Sequence, residues 1–178
     1  MLEIIAIIFG VLLVLILALL GYAATKPDTF RVQRATTIKA PPEKIFALIN
    51  DFHHWSRWSP WEKLDPAMKK TYSGTAAGKG AIYEWEGNKK AGQGRMEIME
   101  STPSSKVLIK LDFLRPMRAS NVTEITTASQ ADGMHVNWVM TGQSPFMFKV
   151  MTIFMNMDKL IGKDFEEGLS NLKALTEK

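Results

Sequence analysis

The chain has few groups able to carry out proton or nucleophilic chemistry. It holds three histidines and no cysteine. His53 and His54 stand beside Asp51, a trio that would supply a general base, while Glu84 and Asp158 are carboxylates that would serve as cavity acids. Side chains on adjacent residues do not usually converge on one reacting atom, and an acid such as Asp51 more often ends a helix or opens a turn. No catalytic set follows, and His53 and Glu84 remain as the weak candidates. There is no His-x-Glu or Cys-x-x-Cys pattern, so neither metal nor cofactor is expected. A nucleophile elbow, a phosphate loop and a dinucleotide fingerprint are likewise missing from the sequence.

The stronger chemical signal is apolar. Five tryptophans and eleven methionines occur in 178 residues. Trp55, Trp58 and Trp61 cluster around a proline on an irregular segment, where they would either plug one end of a fold or form a mouth that touches ligand or lipid headgroups. Methionine is flexible and polarizable, so it repacks around variable apolar guests.

These residues need elements to position them. From Ile4 to Ala24 the chain carries no charge and no proline. As a helix this run rises roughly 31 Å, enough to cross a bilayer. A cleaved signal peptide would have a basic start and a shorter apolar run, whereas this chain opens Met1-Leu2-Glu3, so an uncleaved single-pass anchor over residues 1–25 is expected. Lys26, Arg31, Arg34, Lys39 and Lys44 follow the span, which favours a cytoplasmic domain. The formal net charge is +4. Scattered lysines and arginines suit an anionic leaflet better than nucleic acid, so no nucleic-acid partner is expected.

Residues 26–178 read as one domain of the α+β class. Phe30 to Ile38 alternate as a half-buried strand in which Arg34 is discordant, and Pro41-Pro42-Glu43 opens a short helix ending near Asn50. Strand patterns recur at Met68–Tyr72, Gly80–Glu86, Gly94–Glu100, Val107–Leu114, Asn121–Thr127 and Met134–Thr141, with turn signals between them. The links are short, so the expected sheet is an antiparallel meander with the first strand paired at one end. After Pro145 an apolar stripe of Val150, Phe154, Met157, Ile161, Phe165, Leu169, Leu172 and Leu175 predicts one helix of about 30 residues covering the greasy sheet face. Gly162 and Gly168 mark kinks or close packing.

The stretch RATTIKAPPEKIFALINDFHHWSRWSPW resembles the opening of the START-like, or SRPBCC, superfamily of polyketide cyclase/dehydrase-like proteins. The resemblance runs from Phe30 to about Leu175. It implies a helix-grip fold, in which a curved seven-stranded antiparallel sheet holds the C-terminal helix around a deep apolar cavity. It carries over no catalytic residue.

Within that fold the expected cavity wall is Tyr83, Trp85, Met96, Phe113, Trp138 and Met140 from the sheet. Met151, Phe154 and Met155 would complete it from the helix, with Trp58 and Trp61 at the mouth. The expected function is membrane-anchored binding of a hydrophobic small molecule such as a lipid, an isoprenoid quinone or a polyketide-like compound. A cyclase/dehydrase-type enzyme and a protein-interaction module akin to the chaperone-ATPase activators are the alternatives.

Overall fold

A computed structural model describes all residues, Met1–Lys178. The apolar run forms helix α1 (Leu2–Ala24). Strand β1 (Thr29–Ile38) follows, then helix α2 (Pro42–Ile49) and two short 3-10 turns at Phe52–Arg57 and Pro60–Lys63. The meander comprises β2 (Lys69–Gly74), β3 (Ala81–Glu86), β4 (Gln93–Thr102), β5 (Lys106–Arg115), β6 (Ala119–Gln130) and β7 (Gly133–Gln143). All seven strands join one antiparallel sheet in the order β1-β7-β6-β5-β4-β3-β2. The helix-grip architecture expected from the sequence is therefore present.

One helix departs from expectation. The predicted 30-residue helix is two, α3 (Phe146–Phe154) and α4 (Met157–Thr176). Met155 is extended, and the Asn156 side chain accepts from the Lys159 N–H at 2.9 Å, restarting the helix with its own cap. The stripe breaks with it: Phe165, Leu169 and Leu172 are buried on α4, whereas Phe154 on α3 is exposed.

Helix α4 lies over the inner sheet face beside β1. Arg34, the discordant strand residue, explains the pairing: its guanidinium donates to Glu166 at 2.6 Å and to Asp158 at 3.0 Å. The bond from Arg34 holds Asp158 below the usual carboxylate range. Farther along, the Phe165 ring stacks on Trp138 at 4.2 Å and 7°. Gly162 and Gly168 serve close approach within one unbroken helix. A Cβ on Gly162 would collide with the Arg34 guanidinium, and one on Gly168 would come within 2.9 Å of the Trp138 ring and 3.3 Å of Pro60.

Two stability outcomes follow. Alanine is the better helix former by about 1 kcal/mol, yet overpacking at Trp138 costs about 1–3 kcal/mol. Gly168→Ala is therefore expected to lower the thermal midpoint of the detergent-solubilised chain. Asp158, with its lowered folded pKa, adds stability above the ordinary carboxylate range and loses it as pH falls through the lowered value. Arg34→Met is expected to shrink that acid-side loss in thermal melts between pH 6 and pH 3, modestly because Asp158 is exposed.

Candidate functional site

A cavity of about 450 Å³ lies between the sheet and α4. Its inner wall comes from alternate residues of neighbouring strands. Tyr83 pairs with Met96 and Met96 with Leu111 across β3, β4 and β5, while Trp85, Phe113, Met140 and Trp138 stand on the same face. Trp85 reaches over Gly94, where a side chain would collide with the indole, and its N–H donates to the Ala91 carbonyl at 3.0 Å. Trp61 and Leu64 from the second 3-10 turn, with Asp164 and Glu167 from α4, contribute the remaining side.

Of the sequence-predicted residues, the cavity wall includes Trp61, Tyr83, Trp85, Met96, Phe113, Trp138 and Met140. Trp58 is not in it. It is buried in the core, where its N–H donates to the Leu48 carbonyl at 3.0 Å. Met151, Phe154 and Met155 also lie outside, because the helix break carries α3 away from the inner face; Phe154 and Met155 are exposed. Of the tryptophan trio, Trp55 and Trp61 line the cavity and Trp58 does not. Trp55 bonds the Ile49 carbonyl at 3.0 Å and packs edge-on against Trp138, while Trp61 crosses the Trp138 ring at 86° on the cavity side.

The two weak catalytic candidates are not brought to the cavity. Glu84 is exposed on the outer face of β3. His53 stacks on Tyr72 at 4.2 Å beside a separate hollow of about 130 Å³. Its ring nitrogen is 2.7 Å from Asp51, whose side chain also accepts from the His53 backbone N–H. Partial burial opposes ionisation of Asp51, but these His53 bonds win and lower its pKa.

Glu62, which lines the cavity with Lys90, Asp164 and Glu167, was not singled out from the sequence. Its side chain is only 7% exposed. One carboxylate oxygen accepts from the Tyr83 hydroxyl at 2.7 Å, and the other pairs with Lys70. Burial and the bond to Glu62 push the Tyr83 phenol far up, so it stays protonated. Lys70 on β2 and Tyr83 on β3 are 8 and 21 residues from Glu62 on the second 3-10 turn, so the three come from different elements and no local motif announces them. Asp164 accepts from the Trp61 N–H at 3.1 Å, and Lys63 lies 3.5 Å from Glu167. Two buried polar atoms of wall residues, Oγ1 of Thr123 and Nε1 of Trp138, have no protein partner.

A curved sheet gripping a C-terminal helix over a mostly apolar cavity defines a helix-grip protein of the ligand-cavity kind. The chain belongs to the family described as "Polyketide cyclase / dehydrase and lipid transport", whose model matches residues 29–177. Among solved structures it is similar to protein CV1439 from Chromobacterium violaceum, at 18% identity and a TM-score of 0.59, covering 86% of this chain and 99% of that one. It is also similar to the di-domain ARO/CYC StfQ from the steffimycin biosynthetic pathway, at 10% identity and a TM-score of 0.66, covering 84% of this chain and 51% of that one. Protein MLL2253 from Mesorhizobium loti matches at 15% identity and a TM-score of 0.60, covering 82% and 96%. At these identities the likeness concerns the fold. No curated protein matches.

The Glu62 cluster yields a direct test. Lys70→Met leaves a buried carboxylate without its cation and is expected to cost about 2 kcal/mol, below the roughly 3–5 kcal/mol of a fully buried pair because Lys70 keeps partial exposure. Lys70→Met with Glu62→Gln should recover most of that loss in chemical denaturation. An additive double variant would show that the pair is not coupled.

Proposed function

We propose that this protein is a bilayer-anchored binder of an apolar or amphipathic small molecule, a lipid, an isoprenoid quinone or a polyketide-like compound, held between sheet and α4. The observation that carries this reading is the cavity of about 450 Å³ with a mostly apolar wall, a size typical of small-molecule sites. Burying about 300 Å² of ligand at about 25 cal/mol per Å² is worth roughly 7 kcal/mol before ordering costs, enough for binding without an ionic contact. Met96 and Met140 supply an adaptable wall. A ligand oxygen that reached Thr123 or Trp138 would satisfy a group that has no protein partner.

The anchor is α1, long and apolar enough to cross a membrane. The basic residues after it favour a cytoplasmic domain. The turn between β3 and β4, which contributes Lys90 and Ala91 to the cavity, lies at the same sheet end as Thr29, where the chain arrives from α1. A ligand would therefore have a short path between bilayer and cavity.

A cyclase/dehydrase-type activity is the second reading, favoured by Glu62 and Tyr83 in the wall. In it Glu62 moves a proton on a substrate folded against the tryptophans.

The test is mass spectrometry of organic extracts from the full-length chain, purified from its own host in mild detergent, beside a Met96→Trp variant that fills the cavity. A compound enriched with the wild-type chain and depleted at least tenfold in the variant, with circular dichroism unchanged, is the expected result. Equal small-molecule content in both would overturn the binding reading. Turnover of a polyketide-like substrate that Glu62→Gln abolishes would favour the enzyme instead.

A further inference from the structure

The cavity end of the sheet carries a second apolar surface that the ligand site does not use. Helix α3 reads Phe-Met-Phe-Lys-Val-Met-Thr-Ile-Phe and has a single charged residue, Lys149. That lysine is buried and donates to Asp28 at 2.6 Å, so α3 presents no free charge. Its outward side chains are large and apolar: Met147 is 70% exposed, Phe154 73% and Phe146 45%. Met117, in the turn between β5 and β6 at the same sheet end, is 61% exposed beside exposed Leu114. The turns at the opposite end, Pro103–Ser105 and Ala131–Gly133, expose no large apolar side chain.

This surface is continuous with the anchor. Helix α3 packs against α1, where Ala23 is fully buried and Leu19 and Leu20 are partly shielded, while the preceding residues of α1 are exposed. Phe30, just after the anchor, lies 5.5 Å from Phe148 of α3. Leu19, the first partly shielded residue of α1, lies about 8 Å of helix before Ala24, at the level where a membrane-crossing α1 leaves the hydrocarbon. Exposed Lys89, Lys90 and Arg118 in the neighbouring turns fit an anionic headgroup layer around the apolar centre.

We infer that α3 and the β5–β6 turn form a second bilayer contact, lying in the interfacial layer of the leaflet from which α1 emerges and holding the cavity mouth against it. This rests on the proposed anchoring by α1. A helix with one apolar side and no free charge gains by immersing that side in the boundary between headgroups and acyl chains. The short segment Thr25–Asp28 and the α1–α3 packing leave the domain little freedom to turn the surface away.

The absence of cysteine makes the test clean. The full-length chain is reconstituted into vesicles of phosphatidylcholine and phosphatidylglycerol with single cysteines at Met117, Met147 or Phe154. Ser105 and Asp132 serve as distal controls and Leu12 as the control for the anchor. Each cysteine carries an environment-sensitive nitrobenzoxadiazole label, and doxyl lipids act as quenchers. Blue-shifted emission and quenching at Met147, Phe154 and Met117, with water-like emission at Ser105 and Asp132, is the expected result. If Leu12 is quenched while Met147 and Phe154 match Ser105, the second contact is wrong and the anchor stands. If Leu12 is itself water-like, the anchored reading falls and takes this inference with it.

Discussion

One helix must cover one face of a seven-stranded sheet, and it is too narrow to do so. Seven strands at about 4.8 Å span roughly 29 Å between the edge strands, whereas a helix with its side chains is about 10–12 Å across. Curvature of the sheet narrows the gap without closing it. Where α4 is seated is therefore decisive, and the Trp138–Phe165 stack together with the bare backbone of Gly168 seats it beside β1. Trp55 and Trp58 pack into the space next to that contact, each held by a bond to an α2 carbonyl. Toward the β3–β4 and β5–β6 turns Trp85 and Phe113 line the inner face without closing the space, and that is where the cavity lies.

Topology then decides what surrounds the mouth. In this sheet β1 begins opposite the end of β7, with Thr29 paired to Gln143. A segment preceding β1 and one following β7 must consequently meet at the same end. The preceding segment is the apolar helix α1, and the following one is α3. Their juxtaposition needs no dedicated interface. It follows from placing a strand at the edge of an antiparallel meander and pairing it with the last strand.

Most of the sheet was legible in the residues because period-two alternation is local: Tyr83 and Trp85, or Val107, Ile109 and Leu111, declare a shared face within a few positions. The wall residues on strands followed from the same alternation. What escaped was non-local or masked. Val150 and Phe154 continue the helical spacing of α4 backwards past Asn156, so the spacing hid a break that the cap at Asn156 and the extended Met155 impose. Arg34 looked like an error in a strand, yet it meets two carboxylates on a helix more than a hundred residues away. Glu62 drew no reading because its partners Lys70 and Tyr83 stand on two strands apart from its own 3-10 turn.

The state of Glu62 bears on whether this cavity binds or converts. A general base needs a free lone pair aimed at the proton it removes. Here one oxygen is engaged by the Tyr83 hydroxyl and the other by Lys70. A substrate group that used either oxygen would have to share it with, or displace, the partner already there. The Tyr83 phenol, pushed up and already donating, is no better placed as an acid. The cluster as arranged is thus a device for keeping a polar group satisfied inside an oily wall. That is what a binding cavity requires, whereas an enzyme would require a substrate able to displace one of these two partners.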